Sequence, residues 1–371
     1  MDGLYDIPRS IKLELNENFD YSVPTSFAIY ENHACSSTSA DSLRHFGTTL
    51  CMVVYSIAFI LGTTGNMLVL VILLRNRRCL RITENYLLHL ALADLFLALT
   101  LPLKLVEITR GWVFGNFMCT LVSIMHKVNF HCGSILLGCI GFDRYLAIVH
   151  AVHSLRLRRV QVVHIICGVI WFLCLFISLP DAVFLSVNKG VDFNSSFLYC
   201  NFASYPDLGS YWHLISRFLA NVLGFFLPLA FMTYCYLAIV TTLCRTQQSL
   251  EKHRAIRVAL LVTGFFCICW VPYNVTIFLD TLYRLDVLKD NSCEEIDGRN
   301  HALIITEGIG YLHCFLNPIL YAFVGVKFRH DVLRMLRDLG CLDKDTFKDL
   351  KLGDRRRISF SEGITTSGTS F

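Results

Sequence analysis

Arg144 lies between Asp143 and Tyr145 at the end of a long apolar run. A guanidinium placed there must meet water or a partner, so its chemistry is that of a charge that can be latched and released. The alternative is an arginine that snorkels to an interface and anchors a helix end. Asp94 closes the string Leu90-Ala91-Leu92-Ala93-Asp94, and Asn66, Asn129 and Asn317 are polar residues in three other apolar runs. A carboxylate near mid-membrane costs about 2.5–3.5 kcal/mol on insertion scales, so Asp94 is expected to face inward among partners. The four residues suit a water-filled or sodium-binding pocket, with a purely structural polar cluster as the other reading. Cys269-Trp270-Val271-Pro272-Tyr273 and Asn317-Pro318-Ile319-Leu320-Tyr321 each place proline inside a helix. Each proline removes a donor, frees a carbonyl and permits a hinge; a fixed kink is the bland counterpart.

Long apolar elements must carry these residues. The 371 residues are 54% hydrophobic and 17% charged, with a mean hydropathy of +0.52. Soluble domains carry about 25% charged residues, so much of this apolar surface requires lipid. Seven runs are long enough for a crossing, which takes about 20 residues: Thr48–Leu74, Asn85–Val106, Phe117–Val149, Val162–Phe184, Leu214–Leu243, Ala255–Leu282 and His301–Val326. The expected fold class is an all-α membrane protein, a seven-transmembrane helix bundle with a short amphipathic eighth helix. The expected units are an acidic tail (1–47), the bundle (48–326), the amphipathic helix (327–341) and a polar tail (342–371). In that helix Phe328, Val332, Leu333, Leu336 and Leu339 form one stripe, and Cys341 after it is a palmitoylation candidate. Met1–Asp20 shows no apolar leader, so the first run would act as the targeting element.

Basic residues set the orientation. Arg75, Arg77, Arg78 and Arg81, then Arg156, Arg158 and Arg159, then Arg245, Lys252, Arg254 and Arg257, and finally Lys327, Arg329, Arg334 and Arg337 fall on one side. That side is expected to be cytoplasmic, which leaves the N-terminus outside. Outer cysteines are Cys35, Cys119, Cys200 and Cys293; four allow three pairings, and Cys119–Cys200 with Cys35–Cys293 is the first choice. Asn194 begins an outer glycosylation sequon, whereas the sequon at Asn274 follows Pro272 inside a helix. Tyr5, Tyr21 and Tyr30 neighbour acidic residues, a setting for sulfation, in a tail that suits capture of a basic partner. After Arg355-Arg356-Arg357 come the phosphorylation candidates Ser359, Ser361, Thr365, Thr366, Ser367, Thr369 and Ser370. No Ser/His/Asp grouping, phosphate-cradling loop or metal-ligand spacing stands out, so an enzyme is the least supported class, and nothing indicates nucleic acid.

Asn66, Asp94, Asp143-Arg144-Tyr145, Trp171, Pro228, Tyr236, Trp270 with Pro272, and Asn317-Pro318 with Tyr321 are together a specific set. On these residues the chain resembles the rhodopsin-like (class A) G-protein-coupled receptors over nearly its whole length. Thr100-Leu101-Pro102, the string Asp143–Ala151, Cys35 with Cys293, Glu307 and His313–Pro318 resemble the CXC chemokine receptor family. His126–Phe130, Ile277–Leu282 and Gly325–Arg329 resemble one subtype in that family. The resemblance implies a CXC chemokine ligand, an inhibitory-class heterotrimeric G protein, arrestin and receptor kinases as partners. It implies a ligand pocket of Lys104, Trp112, His126, Tyr273 and Glu307. Switch residues would be Trp270, Pro272, Asn317 and Pro318, and G-protein coupling would use Asp143, Arg144, Tyr145, Tyr236 and Tyr321. The family often has Ser where Gly133 stands, which removes one ligand from a sodium site on Asp94. Amine receptors would have an acid where His126 stands, and retinal pigments Lys where Tyr311 stands. A non-signalling decoy receptor usually carries an altered Asp-Arg-Tyr string, and this one is intact.

Overall fold

The computed structural model describes residues 37–76, 80–150, 159–179, 183, 185–189, 198–202, 208–245, 250–285, 287–289, 292–324 and 326–340. In chain order they form α1 (Ser37–Arg75), α2 (Ile82–Arg110), α3 (Gly115–Ile148), α4 (Val160–Ile177) and an antiparallel hairpin, β1 (Leu185–Lys189) with β2 (Leu198–Phe202). Helix α5 has three segments, Leu208–Asn221, a π-helical turn Val222–Phe226, and Leu227–Arg245. Then come α6 (Leu250–Arg284), α7 in two segments, Cys293–Tyr311 and His313–Val324, and α8 (Val326–Asp338). Helix α1 packs on α2 and α7, α2 on α3, α3 on α4, α5 and α6, and α6 on α7, which closes the bundle. The fold is an all-α seven-helix membrane bundle with a short eighth helix.

Six of these helices contain stretches long and apolar enough to cross a membrane by length and composition. Helix α3 is not among them, because Ser123, His126, Lys127, Asn129, His131 and Asp143 interrupt its apolar sequence. Ser123, Asn129, His131 and Asp143 are buried. A helix that is covered by neighbours all round can carry polar residues that a lipid-facing one cannot. Helix α4 is the opposite case: Ile165, Phe172 and Phe176 are 67%, 69% and 61% exposed, the pattern of a lipid-facing surface. Helix α1 begins at Ser37 rather than Thr48, and α7 at Cys293 rather than His301. Helical geometry continues beyond the lipid-compatible core, so hydropathy marks the crossing and not the helix.

Proline explains the turn in α5. Pro228 has no N–H for the carbonyl one turn earlier, and the Leu227 N–H bonds to Val222 O across the wider turn instead. Gly224 in that turn lies against the His131 imidazole of α3, where any Cβ would overlap the ring. Close approach also joins α1 to α7: a Cβ on Gly62 would stand 2.9 Å from Cys314 Sγ, and one on Gly65 2.9 Å from Pro318 Cβ. Small residues at such crossings let helix backbones approach in lipid, where no hydrophobic force drives association.

Helix α8 joins the bundle through charge. Arg75 at the end of α1 lies 2.5 Å from Asp338 at the end of α8, and Arg337 also bonds Asp338, at 2.9 Å. The hydrogen bond from Arg337, then the two guanidinium charges, hold the Asp338 carboxyl below its ordinary value.

Candidate functional site

The hairpin end of the bundle is rigidly built. Cys119 at the start of α3 is disulfide-bonded to Cys200 of β2, with their Cα atoms 5.5 Å apart. Gly111 and Gly115, both with φ of +77°, bracket the tight connection from α2 to α3. Between them Trp112 is fully buried against Cys119, Val122, Leu185 and Cys200. Its backbone N–H donates to Leu198 O at 2.6 Å and its ring N–H to Gly115 O at 2.9 Å. Trp112 therefore wedges the hairpin onto the helices rather than forming an open pocket wall. Lys104 is likewise buried, 2.8 Å from Glu107, and Glu107 accepts a 3.3 Å bond from the Cys200 N–H. Its charge is matched within its own helix. Cys293 is disulfide-bonded, and its expected partner Cys35 lies outside the described residues.

Deeper in, the other three expected pocket residues come together. His126 of α3 stands 3.0 Å from the Tyr311 hydroxyl of α7, and Tyr311 donates to Glu307 at 3.3 Å. Thr100 of α2 meets the other side of the His126 ring at 2.8 Å. Tyr273 of α6 packs against Trp270, with ring centroids 5.8 Å apart. Between α5 and α6, Asp280 accepts from Arg217 at 2.6 Å, from Arg284 at 2.9 Å and from Arg299 at 3.1 Å.

Trp270 joins the outer and middle layers. Its ring lies 6.5 Å from Tyr311 and 5.2 Å from His313, centroid to centroid, and meets Phe130 edge-on at 4.9 Å. Below it Asp94 is fully buried and accepts from Asn129 at 3.1 Å and Asn317 at 2.9 Å, with His313 Nε2 3.2 Å away and the His313 Nδ1 directed to Gly310 O at 2.7 Å. Asn66, expected beside Asp94, instead donates to Gly62 O and Cys314 O at 3.0 and 2.6 Å. Sodium prefers an oxygen cage. Each Asp94 oxygen accepts one amide donor, and Asn66 Oδ1 and Asn129 Oδ1 are buried without a hydrogen bond. Gly133 offers no oxygen, one ligand fewer than the sodium site that the resemblance implies.

At the far end Arg144 lies 3.2 Å from Asp143, which also accepts from Thr83 of α2 at 3.2 Å. Tyr236 of α5 reaches Thr263 of α6 at 3.0 Å. The Tyr145 hydroxyl meets His150 Nε2 at 2.9 Å. Tyr321 lies on α7, and its side chain, like Tyr5, Tyr21, Tyr30, Asn194, Cys341 and the Ser359–Ser370 cluster, lies outside what is described.

The 7 transmembrane receptor (rhodopsin family) pattern matches residues 65–321. The human C-X-C chemokine receptor type 5 is 44% identical over 93% of this chain and 92% of its own length. The Bos taurus C-X-C chemokine receptor type 3 is 39% identical over 95% of this chain and 93% of its own length. The human type 2 receptor is 38% identical over 89% of this chain and 88% of its own. The chain belongs to the rhodopsin family of seven-transmembrane receptors. Within that family it is a chemokine receptor of the CXC kind, and it is not an enzyme.

Sequence reasoning missed the roles of five residues. His313 belongs with Asp94, and its place one helical turn before Asn317 could have shown it. Thr100 stood in a quoted string but was given no role. The matching of Lys104 by Glu107 follows from their three-residue spacing. The Arg217–Asp280 pair joins two helices and left no local signal.

Proposed function

We propose that the chain is a plasma-membrane receptor, N-terminus outside, which binds a CXC chemokine and activates an inhibitory-class heterotrimeric G protein. The basic chemokine body meets the acidic tail, while its flexible N-terminus enters the bundle and presents an amine to Glu307. A charge-assisted contact of that kind is stronger than a neutral hydrogen bond. The ligand class follows from the names of the relatives, and the type 5 resemblance favours the B-cell-attracting chemokine. Calcium signalling and chemotaxis are the outputs, with receptor kinases and arrestin acting on the phosphorylated tail.

The observation that carries this reading is the position of Trp270. One aromatic ring on α6, two residues before Pro272, lies against both Tyr311, in the ligand cluster, and His313, beside Asp94. Displacing it biases the outer and middle layers together. An outward swing of α6 then breaks the Tyr236–Thr263 contact and exposes Arg144, a two-state change that a ligand drives by binding one state better. The test is a G-protein activation screen of purified CXC chemokines on cells expressing the full chain. A dose-dependent response to at least one supports the proposal; silence toward all of them, with the receptor at the surface, overturns it.

A further inference from the structure

Four contacts run between α2, α3 and α7 through buried Thr100 and Tyr311 and half-buried His126 and Glu307. Thr100 Oγ1 donates to Leu97 O at 2.7 Å and meets His126 Nε2 at 2.8 Å. His126 Nδ1 stands 3.0 Å from the Tyr311 oxygen, and Tyr311 lies 3.3 Å from Glu307 Oε1. Each contact needs one proton between its heavy atoms. Thr100 and Tyr311 each bring a hydroxyl proton, and a neutral imidazole brings one N–H. With Glu307 as a carboxylate, three protons must serve four contacts. Two lone pairs would then face each other inside the bundle, where a group left unsatisfied costs about 1–3 kcal/mol.

We propose that the ligand-free receptor holds one extra proton on the chain Thr100–His126–Tyr311–Glu307, and that a cationic amine of the ligand displaces it at Glu307. Seated on the carboxyl or on the imidazole, this proton satisfies all four contacts and makes the chain neutral. The surroundings leave that balance to the proton. Lys104 and Glu107 of α2, which act on Glu307, pair with each other. Among the described residues, Tyr273 of α6 and Tyr55 and Cys51 of α1 also face it. On ligand entry the acidic O–H or N–H bond breaks and its proton passes to water. The ammonium then donates to the carboxylate in place of Tyr311, whose hydroxyl turns to His126 Nδ1, so three protons serve the three remaining contacts and one positive charge enters as one leaves.

This rests on the reading that a ligand amine reaches Glu307, and it adds a linkage to it. The free receptor carries one more proton than the complex, so affinity rises with pH by at most about tenfold per unit. The dependence flattens once the free chain has lost its proton.

Two measurements on the full chain in lipid nanodiscs test it. Without ligand, difference infrared spectroscopy should show a protonated-carboxyl band that Glu307→Gln removes, or nitrogen-15 NMR an imidazolium that His126→Gln removes. Absence of both signals, in variants that melt like the wild type, overturns the proton count. With the chemokine that wins the activation screen, calorimetry in buffers of different ionisation enthalpy should report release of close to one proton. Glu307→Gln should release none, and Thr100→Val, which lets His126 donate toward Tyr311, should release less. Zero release from the wild type overturns the displacement. If no chemokine activates the chain, the functional reading falls, and the ligand-free spectra still decide the proton count.

Discussion

Gly224 of α5 and His131 of α3 occupy one space: the imidazole fills the volume where a side chain at position 224 would begin. The ring is buried and anchored by a 2.8 Å contact from Nδ1 to Lys127 O, so it has little room to retreat. Gly224→Ala is expected to strain the α3–α5 seam by about 1–3 kcal/mol, the usual range for overpacking. Thermal melting in nanodiscs should fall for Gly224→Ala and recover in the double variant with His131→Ala. A double variant no better than the single one would sink the account.

Asp280 should be the most sensitive charge in the outer half. Three arginines share it, and Arg217 is buried with two of its nitrogens lacking a hydrogen bond. Removing one partner of a buried pair commonly costs about 3–5 kcal/mol, because the other charge stays behind unmatched. Asp280→Asn is therefore expected to lower the melting temperature and the surface level markedly. Asp280→Asn with Arg217→Met should be milder than Asp280→Asn alone, since the most buried of the three guanidiniums then goes with its partner; equal losses would contradict the pairing argument.

Arg144→Ala is expected to abolish G-protein activation while radiolabelled chemokine still binds. Glu307→Gln is expected to reduce signalling more than surface binding, since the tail and outer loops are untouched. Unchanged activation in the first case, or equal loss of binding and signalling in the second, would remove the assigned roles.

The missing oxygen at Gly133 is expected to leave the receptor insensitive to sodium. Replacing sodium by N-methylglucamine at constant ionic strength should leave chemokine affinity within about twofold, a span of roughly 0.4 kcal/mol. A larger change would show that oxygen ligands do assemble there.

The contact of α8 with α1 should persist through mild acid. Because the folded carboxyl of Asp338 titrates below its ordinary value, its contribution is present at neutral pH and lost only as pH falls through that lowered value. Spin-label distances between α1 and α8 should be the same at pH 7.4 and pH 5, and should broaden with Asp338→Asn at both. Broadening in the wild type at pH 5 would reject the tether.

Much of this was legible in the sequence, and for definite reasons. Lipid leaves an apolar record in six of the helices, and α3 was found despite its interruptions; Ser37 and Cys293 were not found as helix starts because water-facing turns leave none. Asp94, Asn129 and Asn317 could be grouped because a polar residue in an apolar run needs company. Asn66 could not be separated from them, since its true acceptors are backbone carbonyls, which carry no residue signature. Trp112 and Lys104 were read from likeness alone, and only the packed hairpin shows the tryptophan under the disulfide and the lysine against Glu107.

The polarity of α3 also bears on how the chain is made. A segment interrupted by so many polar groups is expected to enter the bilayer in company, held by the helices synthesised before and after it. Truncations ending just beyond Ile148 should then leave that segment stranded on the ribosomal side.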